Sequence, residues 1–137
     1  MGSPNPGYFV YDGDDSDKEG TGPGPAGSDV LERALVEGLS AAGVPAAGTD
    51  FDGRSDYGPF IEAGIPSGGL FTGGSEPMSA EEAQRWAGDA NSSFDPCYHQ
   101  ACDRVDTIDR TALDRNADAT AAAIARFALS TDGLPTR

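Results

Sequence analysis

Residues 7–43, "GYFVYDGDDSDKEGTGPGPAGSDVLERALVEGLSAAG", decide the fold. The opening "GYFVY" (7–11) is a short β-branched and aromatic run after the turn-forming "SPNP", which predicts a strand entered from a turn. Residues 12–28 lack hydrophobic periodicity and are rich in Asp, Gly and Pro, so they predict a flexible acidic loop. The pattern then switches to helical spacing. Leu31, Leu35, Leu39 and Ala42 fall on one face of a helix over about 29–42, with Ser28 as its expected cap and Gly43 and Pro45 as its stop.

Working outward from this strand–helix unit, "TDFDGRSDYGPF" (49–60) reads as loop, followed by a short helix near 58–63 that ends at Gly64. "PSGGLFTGG" (66–74) reads as a buried strand weakened by glycines, a pattern that marks close approach of backbone or ligand. Ser79 and Glu82 form a capping box opening a helix to about Ala87, with Ala83, Trp86 and Ala87 inward. The strongest helix spans about 110–129, with Leu113, Ala117, Ala121, Ile124 and Ala128 keeping the period beside Phe127. Residues 130–137 read as a flexible tail, and 1–137 as one incomplete domain. Strands alternating with helices imply an α/β sandwich with helices on both faces of a sheet. The two or three visible strands amount to about half of such a sheet.

Charge narrows the partners. Asp and Glu total 23 against 9 Lys and Arg, a net charge of -14. A field of that sign repels phosphate backbones and anionic lipid, so no nucleic acid or membrane partner is expected. No apolar run approaches the roughly 20 residues of a membrane helix. "MGSPNPGYFVY" also lacks the basic start and apolar stretch of a signal peptide. Two cysteines five positions apart nevertheless favour an oxidising compartment, a conflict that resolves if an N-terminal part is missing.

Both cysteines and the single histidine lie in "DPCYHQACD" (95–103). Spacing alone leaves three readings: a structural disulfide, a metal site, or a disulfide that shapes one corner of an active site. Closing so short a ring contributes only about 2 kcal/mol through chain entropy, so its use is local. A zinc site of Cys97, His99 and Cys102 is incomplete, because zinc takes four ligands and no second ligand pair accompanies these residues. In "DFDGRSDYGPF" (50–60), Arg54 stands between Asp52 and Asp56 and could present its planar fork to a substrate carbonyl or carboxylate. Asp114 and Asp118 lie one helical turn apart near a helix start, where the helix dipole stabilises carboxylates. They are also part, but only part, of the six to eight oxygens calcium requires.

In order, "GSPNPGYFVYD", "DGRSDYGPF", "GGLFTGG", "FDPCYHQACD" and "TALDRNADA" resemble the C-terminal half of the secreted dinuclear zinc aminopeptidases of the streptomycete type. The resemblance runs from residue 1 to about 129, with the acidic loop as an insertion. It implies a partial three-layer α/β/α sandwich with a mixed sheet, zinc and calcium as cofactors, and a peptide with a free N-terminus as substrate. In the family, two zinc ions are held by two His, two Asp and one Glu, and a second Glu is the general base. Of these, His99 alone carries over, as a terminal zinc ligand.

The resemblance implies that Tyr98 polarises the scissile carbonyl and stabilises the oxyanion. It implies that Gly53, Arg54, Phe71 and a Cys97–Cys102 bridge line the substrate pocket, and that Asp114 and Asp118 hold calcium together with N-terminal residues of the mature enzyme. Tyr57 stands where many relatives carry a His. Two expectations from different classes follow. The first is the back part of a secreted aminopeptidase for large apolar N-terminal residues, inactive without the N-terminal half of the same domain. The alternative is a stand-alone non-catalytic acidic module that binds calcium or peptide.

Overall fold

The structure is a computed structural model that describes residues 2–18, 20 and 22–135. Residues 19 and 21 of the acidic loop and 136–137 of the tail lie outside it. The fold is α/β, with elements in the order β1 (Phe9–Tyr11), α1 (Ser28–Ala41), β2 (Ala47–Thr49), α2 (Gly58–Glu62), β3 (Leu70–Phe71), α3 (Ala80–Trp86) and α4 (Arg110–Leu129). The sheet is mixed and ordered β2-β1-β3. β1 runs parallel to β2, with Val10 opposite Gly48, and antiparallel to β3, with Phe9 opposite Phe71. No helix among the described residues is long and apolar enough to cross a membrane.

The alternation of side chains along β1 separates two environments. Tyr8 and Val10 face α1 and α4 and form the core with Leu35, Leu39, Val44, Ala112 and Ala119. Phe9 and Tyr11 face the other side and meet rings from α3 and the loops. Phe9 packs edge-on against Trp86 at 4.8 Å and Phe94 at 5.6 Å, and Tyr11 stacks on Phe51 at 5.1 Å.

Two helices form as expected but start or pack differently. α1 begins at Ser28, preceded by Gly27 in the left-handed region (φ 97) with no side-chain cap. Ser28 is buried, and its hydroxyl accepts from the amide of Ser67 at 3.1 Å, so it joins the helix to the segment before β3 and does not cap its own turn. Leu35 and Leu39 are buried as expected, while Ala42 is exposed. The capping box of α3 is present, with the Ser79 hydroxyl accepting from Glu82 N and the Glu82 carboxylate from Ser79 N. Ala87, expected inward, is instead its exposed left-handed terminus (φ 58).

The larger correction concerns α4. Its boundaries fit the expected helix, but Ala112, Asn116 and Ala119 are its buried residues. Leu113, Ala117, Ala121, Ile124 and Ala128 are exposed. The reason is close helix approach: a Cβ on Gly38 of α1 would lie 2.9 Å from Ala119 Cα, leaving room only for small side chains. The larger apolar stripe consequently faces outward, with Ile124 65% exposed. β2 was not expected at all. Its "AGT" has little strand signal, and pairing with β1 rather than local propensity holds it.

Candidate active-site cleft

In open α/β sheets, ligands bind beyond the carboxyl ends of the parallel strands. A cleft of about 830 Å³ lies there, reached by Tyr11 at the end of β1, by Thr49 at the end of β2 and by Asp50 and Asp52 after it. Leu70, Phe71, Thr72 and Gly73 of β3 and its extension form another wall, and Tyr98, His99 and Asp103 a third. Gly2 and Ser3 also line it. Ser3 Oγ lies 2.9 Å from Thr72 Oγ1 and donates to Gly73 O at 2.8 Å, which fixes the start of the chain beside β3.

Cys97 and Cys102 form a disulfide with Cα atoms 5.3 Å apart, which rules out free thiolate ligands at these positions. Between them His99 has φ 58, a left-handed conformation costing roughly 1–2 kcal/mol for a residue with a Cβ. The loop imposes it through Tyr98 N bonded to Asp95 O, Gln100 N to Cys97 O and Asp103 N to Gln100 O, and the ring closes around these turns. Asp95 accepts from Cys97 N at 2.9 Å. The Tyr98 and His99 rings lie 4.0 Å apart, and both residues are exposed.

The second wall is built differently. Tyr57 is buried, and its ring meets Tyr11 and Phe51 edge-on at 4.7 and 4.9 Å. Its hydroxyl donates to Asp52 Oδ1 at 2.8 Å and accepts from Gly53 N at 3.0 Å. Asp52 Oδ1 also accepts from Arg54 N at 2.9 Å. Partial burial pushes the Asp52 carboxyl up, but the Arg54 amide, the Tyr57 hydroxyl and the Arg54 guanidinium outweigh it and hold it below the usual carboxylate range. Burial raises Tyr11 above the ordinary phenol value, with Tyr57 and Asp52 adding to the effect. Burial and donation to Asp52 raise Tyr57 likewise. The Arg54 side chain is 81% exposed and only 3.8 Å from Asp52 Oδ2, so its guanidinium stays available to a ligand.

The cleft thus brings together Arg54, Phe71, Tyr98 and His99. Gly53 is exposed beside Arg54 with φ 77, adjoining the cleft. Asp114 and Asp118 lie elsewhere, exposed on α4. Sequence reasoning missed Tyr11 as a cleft residue; its place at the end of the first parallel strand was the available signal. It also gave Tyr57 no role.

Among the described residues, two carboxylate groups outside the third wall could hold a cation: Asp12 with Asp14 and Glu32, and Asp15 with Asp17 and Asp50, each with oxygens within 4.8 Å of one another. Asp12 organises the start of the acidic loop, accepting from Asp14, Ser16 and Asp17 amides at 3.0–3.2 Å. His99 belongs to neither group. One exposed imidazole fits a terminal position on zinc but is not a complete site.

The class defined here is a mixed α/β sheet with a cleft at its strand ends. The chain belongs to peptidase family M28, whose model matches residues 1–124. It is 51% identical over 136 residues to a probable lipoprotein aminopeptidase, LpqL, of Mycobacterium tuberculosis, covering 97% of this chain and 27% of that protein. It is 46% identical over 125 residues to leupeptin-inactivating enzyme 1 of Streptomyces exfoliatus, covering 90% and 25%. An aminopeptidase of Pseudomonas aeruginosa is 42% identical over 131 residues, covering 96% and 24%. The chain spans about a quarter of the length of these relatives.

Proposed function

We propose that the chain is the substrate-facing part of a secreted, zinc-dependent aminopeptidase that removes large apolar residues from peptides with a free N-terminus. The observation that carries this reading is the convergence of Arg54, Phe71, Tyr98 and His99 on one cleft in a member of this family. Zinc supplies such a reaction with a nucleophilic water at neutral pH. His99 offers its imidazole as a terminal ligand, and the bridge keeps its backbone in the conformation that allows this. Tyr98 donates a hydrogen bond from its phenol to the scissile carbonyl oxygen, where charge develops. Arg54 and Gly53 receive the peptide backbone beyond the first residue, while Phe71 and the Cys97–Cys102 bridge bound the apolar pocket. Asp114 and Asp118 contribute oxygens to a calcium site at the start of α4.

The remaining zinc ligands and the general base come, in this reading, from an N-terminal part of the same domain. The 137-residue chain with zinc added therefore hydrolyses a leucine anilide no faster than its His99→Ala variant. Turnover well above that control would overturn the division of the site. Zinc-dependent binding of the same substrate that disappears in His99→Ala supports the assignment of the ligand.

A further inference from the structure

We propose that Tyr57 is the positioning residue of the Arg54 wall: its hydroxyl sets the Asp52–Gly53–Arg54 turn and thereby holds the guanidinium over the cleft. The proposal rests on the peptide-binding reading of that cleft and adds to it a residue with no place among the pocket groups above.

The geometry is closed on itself. One phenol oxygen both donates to the Asp52 carboxylate at 2.8 Å and accepts the Gly53 amide at 3.0 Å, so it uses its donor and an acceptor on the same three-residue turn. The carboxylate it orients accepts the next amide, that of Arg54, at 2.9 Å. These three bonds fix consecutive backbone groups. They also hold Gly53 at φ 77, a value other residues reach only with strain. Among the described residues the Arg54 side chain has no comparable restraint, its one ion-pair contact there being the 3.8 Å approach to Asp52 Oδ2. The point and initial direction from which this flexible side chain leaves the chain are consequently set by the backbone beneath it.

Tyr57 suits this task because it is anchored on both sides. Its ring packs edge-on against the stacked pair of Tyr11 and Phe51, and its carbonyl accepts from Phe60 N and Ile61 N at the start of α2. The hydroxyl is thus referred to β1 and α2. Removing it leaves the Gly53 amide without its partner and frees the carboxylate to rotate.

Tyr57→Phe tests the idea, since it keeps the ring contacts and deletes only the oxygen. Two readouts on the 137-residue chain separate the possibilities. In amide hydrogen exchange, Gly53 and Arg54 should each exchange at least about fivefold faster, the cost of one lost hydrogen bond. Amides that report global opening, such as Val44 bonded to Leu39 O and Tyr11 bonded to Gly69 O, should keep their rates. Unchanged exchange at Gly53 and Arg54 overturns the proposal, as does acceleration shared by every amide.

The second readout is affinity for leucyl-glycyl-glycine by NMR titration, measured for Tyr57→Phe in the wild-type and Arg54→Ala backgrounds. A loss of about fivefold that vanishes when Arg54 is absent shows that Tyr57 acts through Arg54. An equal loss in both backgrounds refutes that route and overturns the proposal. If the wild-type chain binds no peptide with or without zinc, the reading of the cleft fails, and exchange alone then decides whether Tyr57 sets the turn.

Discussion

The two loops that face each other across the cleft are held by opposite means. The loop at 52–54 hangs from a buried aromatic anchor: Tyr57 is 9% exposed, and its hydroxyl organises the turn. The loop at 97–102 has no such anchor. Residues 98–102 are exposed, and a covalent bridge closes them. In the proposed function Tyr98 and His99 present their polar ends to the cleft, and both are exposed, so neither is sunk into a core to hold the loop. Where the cleft-facing side chains are themselves exposed, a bridge replaces packing. Where a neighbouring residue can be buried instead, hydrogen bonds from it suffice.

The sharpest way to break this comparison is to remove the shared floor. Gly73 has φ 88, and a Cβ there would collide with the Phe94 ring and its Cβ. Gly73→Ala combines left-handed strain with overpacking, so it should destabilise the chain by about 3 kcal/mol in urea unfolding. The damage should concentrate on the bridged loop, because Phe94 leads into it and Gly74 O accepts the Asp95 amide. Equal loss of order in the 52–54 turn would show that the two walls are one unit.

Replacing both Cys97 and Cys102 by Ser should cost less, about 2 kcal/mol by the entropy of so short a ring. The local effect should exceed the global one. NMR should show His99 leaving its positive φ while the Gly53 amide stays protected by Tyr57. A bridged loop that keeps its conformation without the bridge would mean that the Asp95 and Cys97 turns already hold it.

This contrast also explains what could be read before the structure. The strand–helix unit at 7–43 and the motifs at 52–54 and 97–99 carry their information in short local patterns, and the α/β class and the family followed from them. The packing face of α4 could not be read that way. Its apolar stripe at Leu113 and Ile124 has the right period, yet the inward face is set by how closely Gly38 lets α1 approach Ala119. Periodicity records which residues are apolar, not which surface covers them, and the outward stripe of α4 is a case where the two differ. β2 escaped because "AGT" has no propensity of its own. Tyr57 escaped because its value lies in a fold-dependent triangle with Tyr11 and Phe51.

The smallest expected effect concerns charge rather than contacts, and it isolates the non-covalent wall. The Asp52 carboxyl lies below its usual range despite partial burial, because the Arg54 amide and Tyr57 hydroxyl favour the ionised form. A depressed folded value means that the unfolded chain binds the proton more readily near pH 4. Asp52 therefore stabilises the fold fully above its unfolded value and loses that contribution as pH falls through the folded one. Because Asp52 is half exposed, the contribution is screened to about 1 kcal/mol or less. Asp52→Asn keeps an oxygen for both donors but cannot titrate. Comparing urea midpoints between pH 6 and pH 3, the variant should lose less stability than the wild type, by that small margin. Gly53 amide protection should fall over the same interval in the wild type alone. A pH response of equal size in Asp52→Asn would assign the acid sensitivity to other carboxylates and leave the Tyr57–Asp52 pair a purely steric support.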